Sequence, residues 1–448
     1  MTALAVSPSL HAAETVTRVT DVNPGFSGSY PCYLTIYNQQ LYFRANTGLQ
    51  DTELWHFDGT NAARVADIVP GTNGSSPSLL AVFNGSLYFD ATTASGPIKL
   101  HRYDNSTVSP LNTSPSAFCG GGGWSPVTWN GELWFWTLAS PAGLACFNGT
   151  RVARLNSPPW VNSEPVVFEN QLYYAAQDAF GVELWRFDGL NQTRLSDINP
   201  GAADGRPENL FVHEGALYFS ANDGTTGNEL WRYTGGAPQR VADIFPGPGS
   251  ANPGGFATFR GALYFAANDG VHGRELWRYD GTTTTLAADI NPNPYENGYG
   301  DETSHSNPSQ LRVLNDRLYF IANDGTNYGV WSYDGTNAII VGGGLANWTT
   351  ELIVFQDTLY FDADDGVWGR ELWKVEPNPE PRLELARPVD TTQVTLTEAA
   401  TGVYSIEVSS DLLNWTPVST NRPVNGQIIL RDAATDSPQR FYRAVKAL

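Results

Sequence analysis

Short runs in which apolar and polar residues alternate dominate this chain, as in "ALYFAA" at 262–267 and "ELWRY" at 275–279. A period of two puts successive side chains on opposite faces of a strand, whereas a helix needs apolar residues three and four apart. The runs are rich in aromatic and β-branched residues and are bounded by Gly, Asn, Asp and Pro. They therefore predict strands joined by tight turns and no helix. The pattern also recurs. A triplet of "LYF" type begins at Leu41, Leu87, Leu133, Leu172, Leu217, Leu263, Leu318 and Leu359, at spacings of 46, 46, 39, 45, 46, 55 and 41. About twelve residues after each triplet stands an "ELW" position, occupied by Glu53, Glu183, Glu229, Glu275 and Glu371, with degenerate versions at Lys99, Gly143 and Gly329.

Each copy divides into four strands. In the sixth, "GGFATFR" leads through Arg260-Gly261 into "ALYFAA", then "NDGVHGR" into "ELWRY", and "DGT" into "TTLAADI". Asn84-Gly85, Asn130-Gly131, Asp58-Gly59 and Asp280-Gly281 suit two-residue hairpin turns that need positive φ. A four-stranded meander repeated at this period predicts an all-β chain with an eight-bladed β-propeller over 14–375, or seven blades if the third copy is an insertion. The element "TVTRVTD" at 15–21 matches a fourth strand, and the last copy stops after its third strand at Val375, so the N-terminal strand is expected to close the ring. A proline-rich linker, 376–381, precedes a small C-terminal β-sandwich at 382–448, built from runs such as "QVTLTEA", "YSIEVSS" and "RFYRAVKA".

Charge narrows the partners. With 26 basic and 46 acidic residues the net charge is −20, which disfavours nucleic acid because phosphate neutralisation needs basic surface. No run of 18 or more apolar residues occurs, so no membrane span is expected. Residues 1–13 read as a short export-signal remnant without a basic start, which suggests an extracellular or cell-surface location. Three cysteines are too few for a disulfide framework, and Cys119 with Cys146 in the third copy form a candidate local bond.

The segments "ELWRYDGT", "NDGxxG" and "ADINPG" resemble the ELWxxDGT repeat proteins of bacterial surfaces over roughly Thr15 to Val375. That resemblance implies an extracellular repeat array. The tail, with "YSIEVSSDLLNWTPV" at 404–418, looks like the fibronectin-like C-terminal modules of exported Verrucomicrobia-type proteins.

In a propeller the second-to-third and fourth-to-first connections share one face, so that face should be acidic. Asp223, Glu229, Asp269, Glu275, Asp324, Asp365 and Glu371 are candidate calcium ligands, since hard cations collect carboxylate and backbone oxygens. The competing reading gives these residues to turn and loop hydrogen bonds. The once-per-copy tryptophans are expected to pack blade against blade. Aromatics that break the repeat, Tyr295, Tyr299, Tyr328, Trp348 and Trp368, form a candidate ligand patch. No metal-hydrolase or nucleophile motif is present, and no catalytic residue is assigned. The expected function is a non-catalytic secreted or cell-surface binding and adhesion protein that shows this face to glycan or protein. A polysaccharide-active enzyme with paired carboxylates and a structural surface-layer component are the alternatives.

Overall fold

The computed structural model describes residues 14–376 apart from 49–50, 72–73, 95, 97, 112–125, 138–142, 156–162, 294–303, 342–344 and 346–348, and residues 382–447 apart from 387–391, 398–402, 412, 423–426 and 433–439. Every element among the described residues is a β-strand. The chain divides into two compact units, Thr17–Lys374 and a second containing Val375–Leu448.

The first unit is built from eight four-stranded sheets, seven of them with their strands in chain order, and its architecture is that of a β-propeller. In the sixth sheet the strands are Gly254–Phe259, Ala262–Asn268, Arg274–Tyr279 and Thr284–Ala288. The third copy, degenerate in sequence, still forms a full sheet from Val127–Trp129, Glu132–Thr137, Gly143–Phe147 and Val152–Arg154. The last sheet takes its fourth strand, Thr15–Arg18, from the other end of the chain, as the sequence phase requires. Beside it the Val19 amide donates to the Leu372 carbonyl at 2.7 Å.

Local chemistry explains the hairpins. All eight first-to-second turns are two-residue loops with both φ values positive, including Asn84-Gly85, Asn130-Gly131, Glu169-Asn170 and Gln356-Asp357. This twist matches that of the flanking strands. Asp58-Gly59 and Asp280-Gly281 behave differently from the two-residue turns expected there. They open four-residue loops between Phe57 and Ala62 and between Tyr279 and Thr284. Only the glycine takes positive φ, and the aspartate caps the loop by accepting two amides.

The core lies between successive sheets. Leu41, Phe43 and Phe57 of the first sheet pack with Phe355, Tyr360 and Leu372 of the last, and Leu263, Phe265 and Trp277 of the sixth pack with Tyr218 and Leu230 of the fifth. The repeated tryptophans serve this packing, and the Trp331 and Trp373 indoles donate to the Ala322 and Ala363 carbonyls at 3.1 and 2.9 Å. Each aromatic side chain buried in this way contributes about 1.5–3 kcal/mol of transfer free energy. First strands stand at the inner edge: Cys32–Tyr37 lies beside Ser78–Phe83 on one side and Leu352–Phe355 on the other.

The second unit holds two three-stranded sheets, one of Arg382–Ala386, Thr392–Thr397 and Ile428–Asp432, the other of Thr416–Asn421, Val403–Ser409 and Phe441–Ala447. Both give residues to one small core, including Val394, Leu396, Tyr404, Ile406 and Tyr442.

Candidate functional site: the central cavity

A cavity of about 980 Å³ is lined by residues from all eight sheets of the first unit. Its wall is made by the start of each first strand, and there the backbone departs from regular pairing. In five sheets two residues of the first strand oppose one of the second, a β-bulge, between Cys32 and Thr35, Ser78 and Ala81, Glu208 and Phe211, Gly254 and Ala257, and Ser309 and Arg312. The first bulge residue is left-handed each time: Tyr33 (φ 60°), Leu79 (52°), Asn209 (57°), Gly255 (66°) and Gln310 (55°). For a bulky non-glycine residue this conformation costs about 1–3 kcal/mol.

These residues occupy one level of the cavity, four positions before the buried residue that ends each first strand. Glu164 and Glu351 hold the same level in the fourth and eighth sheets. Around this level the side chains therefore run Tyr, Leu, Glu, Asn, Gly, Gln, Glu, while the second strands that follow keep their Leu-aromatic-aromatic start.

One bulge has a visible occupant. The Glu351 carboxylate crosses from the eighth sheet and accepts the Tyr33 and Leu34 amides at 3.0 and 2.8 Å. A left-handed residue followed by an extended one aims two successive N–H groups at one point, which makes a concave anion receptor. Burial pushes the Glu351 carboxyl above the usual carboxylate value, opposed by these two amides. The Glu351 backbone is fixed in turn by buried Asp362, which accepts the Thr350 and Glu351 amides at 2.9 and 3.0 Å and pairs with Arg370.

Arg312 brings the opposite charge to the cavity. Its Nε donates to the Leu352 carbonyl, Nη1 to the Leu311 carbonyl and Nη2 to Gln310 Oε1, each at 3.0 Å. A guanidinium carries five N–H donors, so two remain for another acceptor. The side chain reaches the cavity solvent, yet the surrounding walls hold its pKa below the usual arginine value, burial outweighing the neighbouring Glu351.

The acidic residues singled out from the sequence are placed elsewhere. Asp223 accepts the Thr225 and Thr226 amides, Asp269 those of Val271 and His272, Asp324 those of Thr326 and Asn327, and Asp365 those of Val367 and Trp368, at 2.6–2.9 Å. Glu229, Glu275 and Glu371 are fully buried at the start of third strands. They clamp the fourth-to-first loops: Glu229 accepts from Ile244 and Ala251, Glu275 from Ile290 and Ser306, and Glu371 from Thr20, Val22 and Ser29. Burial pushes the Glu229 and Glu275 carboxyls up to about 7 against these bonds. Asp51, Glu53 and Asp67 do bring carboxylate oxygens within 4.8 Å of one another, but Arg64 pairs with both aspartates.

Of the aromatic patch, Tyr328 and Trp368 are described, and Tyr295, Tyr299 and Trp348 lie outside the described residues. The Tyr328 hydroxyl donates to the Thr349 carbonyl at 2.9 Å, and the Trp368 ring carries the Arg18 guanidinium 4.3 Å from its centroid. Cys146 is a buried free thiol, and its expected partner Cys119 lies outside the described residues.

Sequence reasoning missed the cavity level because a bulge leaves no mark in an alternating pattern. The available signal was the variability of the residue before each regular first strand.

No protein-family model and no curated protein match the chain. Solved structures do. A puromycin-hydrolyzing peptidase of Mycobacterium tuberculosis aligns with 86% of this chain at 12% identity and a TM-score of 0.43, and the chain spans 61% of that protein. BamB from Moraxella catarrhalis aligns with 81% at 12% identity and a TM-score of 0.45, over 99% of its own length. An acylaminoacyl peptidase of Pyrococcus horikoshii aligns with 82% at 10% identity and a TM-score of 0.42, and the chain spans 58% of it. At these identities the likeness concerns fold and transfers no activity. The expected adhesion function, with its polysaccharide-cleaving and surface-layer alternatives, is corrected here. The carboxylates meant for a ligand face are engaged by their own loops. Fourth-strand arginines offset that face further, pairing Arg64 with Asp51, Arg194 with Asp178 and Arg240 with Asp223.

Proposed function

We propose that the eight sheets are the blades of one propeller, closed into a ring by Thr15–Arg18, and that its central cavity binds a small polar ligand. The observation that carries this reading is that copies of one repeat bring different side chains to one level of the cavity: Tyr33, Leu79, Glu164, Asn209, Gly255, Gln310 and Glu351 all face it. Residues that differ among copies of one unit are free of the packing that makes the copies alike, and here they line one space. Left-handed non-glycine residues at the same level are strain of the kind that gathers at binding sites. The resemblance to ELWxxDGT proteins supports an extracytoplasmic setting for that ligand.

The test is a thermal-melt screen of small polar molecules against the native protein and a Gly255→Tyr variant. Tyr33 shows that this backbone position accepts a tyrosine, so the variant narrows the cavity at this level without breaking the bulge. Compounds that raise Tm through the native state are expected to lose their effect in the variant. Shifts of equal size in both proteins would move the ligand site out of the cavity.

A further inference from the structure

Glu351 shows what one bulge accepts: a carboxylate held by two successive amides. The same register shift and the same left-handed residue recur at Gln310–Leu311 in the seventh sheet. There the preceding sheet supplies Gly255 at the level from which Glu351 reaches Tyr33, so no side chain extends from that position. A Cβ built on Gly255 meets only the Pro308 carbonyl at 3.8 Å and Leu311 Cδ1 at 3.9 Å. Arg312, two residues along the same strand, leaves two guanidinium donors beside this bulge.

Resting on the cavity reading above, we infer that the Gln310–Leu311 bulge and Arg312 form a subsite for the carboxylate group of a small ligand. The ligand's carboxylate takes the place that a glutamate at position 255 would fill, as Glu351 fills the equivalent place two sheets further on. Two backbone amides and a guanidinium suit the planar, two-oxygen acceptor of a carboxylate, and charge-assisted bonds of this kind are about twice as strong as neutral ones. Glu164 and Glu208 also line the cavity. They disfavour a second negative charge, which selects a monocarboxylate or a zwitterion over a polyanion.

The experiment compares N-acetylglycine with N-acetylglycinamide, alike in shape but differing in the carboxylate, by saturation-transfer NMR and titration against the full chain. Four proteins are used: native, Gly255→Ala, Gly255→Glu and Arg312→Gln. The expected result is binding of the acid and not the amide to the native and Gly255→Ala proteins. Binding is lost in Gly255→Glu, whose own carboxylate occupies the bulge, and weakened about tenfold in Arg312→Gln. Unchanged melting of Gly255→Glu separates plugging from misfolding. Equal binding of acid and amide, or undiminished binding to Gly255→Glu, overturns the carboxylate subsite while leaving the cavity as a ligand site. Failure of N-acetylglycine to bind the native protein also overturns the subsite, and the cavity reading then stands or falls on the Gly255→Tyr screen alone.

Discussion

The Glu351 carboxylate accepts a 3.0 Å hydrogen bond from the amide of Tyr33, a residue 318 positions away in the chain. This contact joins the last sheet to the first at the cavity wall, and Leu34 supplies a second amide at 2.8 Å. Glu351→Ala leaves both donors without their acceptor in a half-buried site, at a cost of about 2–3 kcal/mol. Urea denaturation should show a lower midpoint with an unchanged slope. A variant as stable as the native protein would mean that water satisfies those amides and that the contact is incidental.

Stability should fall as pH rises from 5 to 8. Glu229 and Glu275 have folded values pushed up to about 7 by burial, above the ordinary 4.5. A carboxyl whose pKa is raised on folding contributes stability fully below its unfolded value, and that contribution is lost as pH climbs through the folded value. Thermal melts across this range are expected to show a declining Tm, with a shallower decline in Glu275→Gln. A Tm that rises over the same range would show that the loop amides, and not burial, set the charge state.

Closure of the chain ends depends on Gly28. It sits at φ +60°, and a Cβ there would run into the backbone of Arg370. Its neighbour Ser29 donates its amide to the Arg370 carbonyl at 2.9 Å and its hydroxyl to Glu371 at 2.6 Å. Gly28→Ala should destabilise by roughly 2–4 kcal/mol and open the N-terminal segment to protease before the rest of the chain. Uniform protection in limited proteolysis would show that the splice does not depend on that close approach.

Calcium should leave the melt unchanged relative to sodium chloride of equal ionic strength. Asp223, Asp269, Asp324 and Asp365 each spend an oxygen on two amides of their own loop, and Arg64 already neutralises Asp51 and Asp67. A rise in Tm with calcium that chelator reverses would return these loops to the metal reading.

By itself the sequence determined the unit: the period of two, the turn residues and the recurrence of "LYF" and "ELW" dictate four strands, their order and the splice of Thr15–Arg18 onto the last copy. These features are local, or are repeated often enough to be read as local. The buried role of Glu275 was half legible, as one of two readings for an acid that opens a strand. The tertiary structure alone decided that seven residues of six types, from Tyr33 to Glu351, meet around one cavity. Each belongs to a separate copy and carries no motif; five of them stand at a bulge whose direction depends on backbone φ, and the fold brings residues 318 positions apart within hydrogen-bond reach.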